Sequence, residues 1–128
     1  MPKNLFRYLE ELNISSGIRR IEIALSTLYN LNNILEKENL EDFNDIKVLK
    51  RQFSYVRDNL LSAAGFLDLY EYTGNIITGN TIKEKIDNAT VLLNDILSSY
   101  NDGTDDAITW GKTCMDIAAT LSDEARKI

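Results

Sequence analysis

The chain of 128 residues is 44% hydrophobic and 27% charged, with one proline and six glycines, a balance that excludes collagen-like, mucin-like and disordered chains. Fourteen Lys and Arg against 20 Asp and Glu leave a net charge of −6, and there is no histidine. Without imidazole there is no Ser-His-Asp or Cys-His catalysis, no His-containing zinc site, no imidazole haem ligation and no Glu-x-x-His di-iron bundle.

A single core of this length buries about 65–70% of the surface its unfolded chain exposes, so one domain over residues 1–128 is expected. The first twelve residues carry Lys3, Arg7, Glu10 and Glu11 and lack the apolar run of a secretory signal. No segment approaches the ~18 uncharged apolar residues of a membrane span. A cytoplasmic protein without membrane contact is expected. Cys114 is the only cysteine, so no disulfide forms within the chain. Its spacing to Trp110, Ile117 and Leu121 places it on a helix face as a buried, inert thiol.

Taken in chain order, the pattern is helical throughout. Leu5, Leu9 and Leu12 form a short N-terminal helix or extend the next one. From Ser15 to Lys37, Ile18, Ile21, Leu25, Leu28, Asn32 and Leu35 recur at steps of three and four, one face of a helix. Ile14 keeps that phase, but Ser15, Ser16 and Gly17 are two cap-forming residues and a glycine, and they point to a kink or short break. Asn32 interrupts the seam either as a register-fixing polar residue or as a solvated one. The second seam is the strongest, with Ile46, Leu49, Phe53, Val56, Leu60, Ala63, Leu67 and Tyr70 in unbroken three-four steps. Around Leu60 to Tyr70 the off-seam positions Leu61, Ala64, Phe66 and Leu69 are apolar too, so that half of the helix needs covering on more than one side.

Thr73-Gly74-Asn75 ends the second helix, and a loop containing Ile76 and Ile77 follows. Thr81 with Glu84 makes a capping box that opens a third helix bearing Ile82, Ile86, Ala89, Leu93, Ile96 and Tyr100. Asn101-Asp102-Gly103 stops it. Thr104 with Asp105 and Asp106 begins the last helix, whose stripe is Trp110, Cys114, Ile117, Leu121 and Ile128. Short loops between amphipathic helices favour antiparallel neighbours. The expected fold is therefore all-α, an antiparallel up-down four-helix bundle with a short extra N-terminal helix.

Charge divides unevenly: residues 1–64 hold nine basic and nine acidic side chains, and residues 65–128 hold five and eleven. Such a field repels nucleic acid, and no nucleic-acid partner is expected. Lys47, Lys50, Arg51 and Arg57 form a basic stripe, read as a solvated face or as a contact for an acidic partner. Asn101, Asp102, Asp105 and Asp106 lack the alternating order of an EF-hand and read as a turn followed by a cap. Glu38 with Glu41 and Glu84 with Asp87 are acidic pairs of the general kind that all-α pyrophosphohydrolases use for magnesium, but they lie 43 residues apart with the first at a turn. No glycine-rich phosphate loop or serine elbow occurs, and no metal or cofactor is expected.

The favoured reading is a non-catalytic interaction protein that self-associates as a homodimer or caps a protein partner, through Leu61, Phe66, Leu69, Ile76 and Ile77. The alternative is an acidic inhibitor, immunity protein or antitoxin that masks a basic surface with Asp102, Asp105 and Asp106, together with Asp95 and Asp116. A magnesium-dependent nucleoside triphosphate pyrophosphohydrolase is the minor alternative.

Overall fold

The computed structural model describes residues 2–36, 43–67, 79–104 and 106–127. They form four helices, α1 (Pro2–Leu35), α2 (Phe43–Phe66), α3 (Ile82–Asn101) and α4 (Ala107–Lys127), with no strand among the described residues. The all-α expectation is met. Among the described residues no helix is long and apolar enough to cross a membrane.

The apolar seams converge on one core. Ile18, Ile21, Leu25 and Leu28 of α1, Leu49, Phe53, Val56, Leu60 and Ala63 of α2, Ile86, Ala89, Leu93 and Ile96 of α3, and Trp110, Cys114, Ile117 and Leu121 of α4 are all buried. Near the end of α1 the seam steps to the fully buried Leu31 rather than to Asn32, because a straight helix drifts against a strict seven-residue repeat. Asn32 turns to α3 instead, its Nδ2 donating to Asp87 Oδ1 at 3.1 Å.

Two expectations are corrected. The first concerns α1, which runs unbroken for 34 residues, about 50 Å at 1.5 Å per residue, and absorbs the expected separate N-terminal helix. The Ser15 hydroxyl donates to the Leu12 carbonyl at 3.0 Å, so it decorates the helix instead of capping a new one. Gly17 is buried against α2, and a Cβ there would lie 2.8 Å from Leu67 Cγ and 3.3 Å from the Ala63 carbonyl oxygen. The glycine is a place of close approach between helices, not a breaker.

The second is the order of the helices. Gly17 and Arg20 of α1 meet Leu67 and Asn59 of α2, so α1 and α2 are antiparallel. Glu36, Asn32 and Tyr29 of α1 meet Lys83, Asp87 and Asn94 of α3, so α3 is antiparallel to α1 as well. Lys85 and Tyr100 of α3 meet Glu124 and Trp110 of α4. The sequence of directions is therefore up, down, down, up, with α2 and α3 diagonal and parallel. The end of α2 sits beside Gly17 and the start of α3 beside Glu36, positions about 28 Å apart along α1. The end of α2 and the start of α3 thus lie at opposite ends of the bundle, where a short antiparallel connection was expected. Both ends of α3 follow the sequence signals. The Thr81 hydroxyl accepts from the Glu84 N–H at 3.2 Å, and the Glu84 carboxylate returns to the Asn80 N–H at 2.8 Å. At the other end Gly103, with φ +86°, donates to Tyr100 while Thr104 donates to Ser99, the paired bonds of a Schellman motif.

The two helical glycines of the α1–α2 region make a contrasting pair. Nothing lies within 4 Å of a Cβ built on Gly65, so Gly65→Ala is expected to stabilise the protein by about 0.5–1 kcal/mol. Gly17→Val is expected to destabilise it by about 2–3 kcal/mol through overpacking, and urea denaturation of the two variants reads both signs.

Candidate functional site

Part of the exposed apolar surface borders two clefts on α2 and α4, while Leu5, Leu9, Leu12 and Tyr29 of α1, Val48 and Tyr55 of α2 and Val91 of α3 are exposed as well. Phe66 is opposite Ile108 across a cavity of about 330 Å³, lined by Ile14, Leu67 and Ala107 and rimmed by Glu10 and Asn13. Further along, Leu61 and Arg57 of α2 face Met115, Ala118, Ala119 and Ser122 of α4 across an open groove of about 420 Å³. Leu61 is 42% exposed, Phe66 36% and Ile108 61%. Two of the expected contact residues, Leu61 and Phe66, are therefore exposed, each beside a different cleft, and their spacing of five residues sets them about 140° apart around α2. Ala64 is corrected: it is 2% exposed and belongs to the core. Leu69, Ile76 and Ile77 lie outside the described residues.

The acidic positions separate into two environments. Asp95, Asp102 and Asp106 are exposed, and Asp105 lies outside the described residues. Asp102 is the C-cap residue of α3, and its backbone N–H donates to the Ser98 carbonyl at 3.0 Å. The carbonyl of Asp106 accepts the first bond of α4 from the Trp110 N–H at 3.0 Å, so Asp106, not Thr104, is the N-cap residue. Asp116 is corrected from a surface position to a buried one, 2% exposed.

Asp116 belongs to a stripe that the sequence reading missed. Thr113, Asp116, Thr120 and Glu124 are all buried and recur at steps of three and four beside the apolar stripe of α4. Their period was visible, but their polar type placed them in solvent. Thr113 and Thr120 donate to the carbonyls of Thr109 and Asp116, one turn back. Glu124 receives Lys85 from α3 and, at 3.2 Å, Lys127 from its own helix. Burial pushes the Glu124 carboxyl upward, but the hydrogen bonds and charges of the two lysines outweigh it and hold the group below its ordinary range. Asp116 has no such partner. Its Oδ1 is buried with no hydrogen-bond donor, and loss of solvation raises its pKa.

Among the described residues, Cys114, Glu84 and Asp87 are sequestered or engaged. The Cys114 thiol is fully buried, which pushes its pKa up to about 12, and a thiol at that value supplies almost no thiolate at neutral pH. Glu84 holds the α3 cap, and Asp87 meets Asn32 and Lys83. Glu38 and Glu41 lie outside the described residues. Lys47, Lys50 and Arg51 are exposed, while Arg57 pairs with Asp58 at 3.0 Å.

The two buried carboxylates act on stability with opposite signs. The lowered pKa of Glu124 makes its contribution present at neutral pH and lost as pH falls through that lowered value; the raised pKa of Asp116 makes the fold favourable in acid and penalised as pH rises through the raised value. Glu124→Gln is expected to cost about 1–3 kcal/mol at pH 7, with the deficit closing in acid. Asp116→Asn is expected to gain stability at pH 7 and to lose that gain in acid. Urea denaturation across pH checks both.

Comparison with known protein families, curated proteins and solved structures finds no match, so the functional reading rests on the geometry of this chain alone.

Proposed function

We propose that this chain is a non-catalytic helical-bundle protein of the cytoplasm that works by protein–protein contact, in the first place by pairing with a second copy of itself. The observation that carries the reading is the exposure of the apolar side chains Leu61, Phe66 and Ile108 beside two open clefts, one between α2 and α4 and one where α1 meets both. Contiguous exposed apolar surface marks interaction sites in soluble proteins. The sequestered thiol of Cys114 and the structural employment of Glu84 and Asp87 favour a role without chemistry. A second reading, the acidic inhibitor, draws on the exposed Asp95, Asp102 and Asp106 of the C-terminal half, a field suited to steering a basic surface into contact.

Sedimentation equilibrium is expected to show a dimer at micromolar concentration, dispersed to the 14.6 kDa monomer by Leu61→Glu with Phe66→Glu. A wild-type monomer at every concentration removes self-association. For a partner captured from cell extract, the inhibitor reading expects an on-rate that falls steeply with salt and weaker binding after Asp102→Asn with Asp106→Asn. Asn caps a helix as well as Asp does, so that double variant tests charge rather than folding. Salt-independent binding unchanged by it leaves the apolar face as the contact.

A further inference from the structure

Two sides of α2 are covered, one by α1 and one by α4, and its third side faces solvent. At about 100° per residue, Lys47, Arg51, Asp58 and Gly65 fall within about 40° of one another along the middle of that outer side, and all four are exposed. Leu61 and Phe66 mark its two edges. On the Phe66 edge, Val48 and Tyr55 share its angle to within about 20°, and they are 40% and 53% exposed. An apolar edge thus runs the length of the helix. At Gly65 the surface is open, with nothing within 4 Å of a Cβ built there.

Charge is graded along the same side. Lys47, Lys50 and Arg51 lie in its first half, exposed and in none of the ion pairs among the described residues. In its second half the cleft lined by Gly65 and Phe66 carries one charged residue, the exposed Glu10 of α1. Asp106, also exposed, stands next to the lining residue Ala107. Two copies of α2 laid side by side have two directions open to them. Parallel, they set the three basic residues of one chain against the same three of the other, a like-charge contact that opposes association. Antiparallel about a two-fold axis near residues 55–58, they set Lys47 level with Phe66 of the second copy and so with its Glu10 end. The Val48–Tyr55–Phe66 edges of both copies then run past each other.

We propose that the outer side of α2 is the self-pairing surface and that a second copy of the chain lies on it antiparallel, its Lys47, Lys50 and Arg51 against the Glu10 and Asp106 end of the first. A two-fold axis repeats every contact, so each basic end meets an acidic one and assembly stops at two. The inference rests on the self-association reading above and deepens it, naming the helix, the direction and the charge pairing of the dimer.

Sedimentation equilibrium of the full chain and its charge-swapped variants tests it. Lys47→Glu with Arg51→Glu and, separately, Glu10→Lys are each expected to weaken the dimer by about tenfold or more, because like charges then meet at both ends. An equimolar mixture of the two variants is expected to recover wild-type affinity, since both contacts of the mixed pair join opposite charges. All three positions are exposed, and circular dichroism checks that each variant is folded. Affinity unchanged in both variants, or a mixture that binds no tighter than either variant alone, overturns the antiparallel pairing. If Leu61→Glu with Phe66→Glu still disperses the dimer in that case, self-association stands without it. A wild-type monomer at every concentration removes both.

Discussion

Where α1 crosses α2, Gly17 brings the two backbones so close that even a methyl group would press on Leu67 and the Ala63 carbonyl. That contact fixes the level at which the helices meet and carries Arg20 to Asn59, three residues further along α1. On another flank α2 packs against α4, where Arg57 and Leu61 border Ala118. Interhelical distance is decided by the side chains at the crossing, so a residue without a side chain sets how closely α1 and α2 approach.

The fourth helix is held on different terms. α3 contributes a full apolar stripe to the core, flanked by Ile82, Leu92, Leu97 and Tyr100, and beside these its contacts include amides, a tyrosine hydroxyl and ion pairs. Exposed pairs such as Lys83 with Glu36, both about half exposed, contribute little, about 0–1 kcal/mol. The buried Lys85–Glu124 pair has a sharper effect, because losing one partner strands the other charge away from water. The α3 side of the core thus carries more polar contacts than the α1–α2 crossing, with Asn32 Oδ1 buried and unpaired among them.

This asymmetry also orders the surface. The outer edge of α2 and α4 shows Leu61, Phe66 and Ile108 to solvent, while the acidic residues at the α3–α4 turn and along the outer side of α3 give the C-terminal half its negative field. An apolar contact face and a charged steering face on different sides of one small bundle allow attraction at a distance and adhesion at contact to be set by separate residues.

Much of the architecture was legible in the chain. The three-four spacing named nearly every core residue of the four helices, and the Thr81–Glu84 cap and the Asn101–Gly103 stop are local hydrogen-bonding patterns, written in contiguous residues. The exposure of Leu61 and Phe66 was legible too, as apolar positions off the seam. What tertiary structure alone decided lies where a residue's role depends on what faces it. Gly17 has the same sequence signature as a break and as a close crossing, and only the presence of Leu67 opposite makes it the latter. Asp116 and Glu124 have the composition of a surface and the period of a core, and burial in the folded chain made them core. The direction of α3 is a long-range matter on which helical periodicity is silent, since a stripe of period 3.6 reads the same for a helix running up or down.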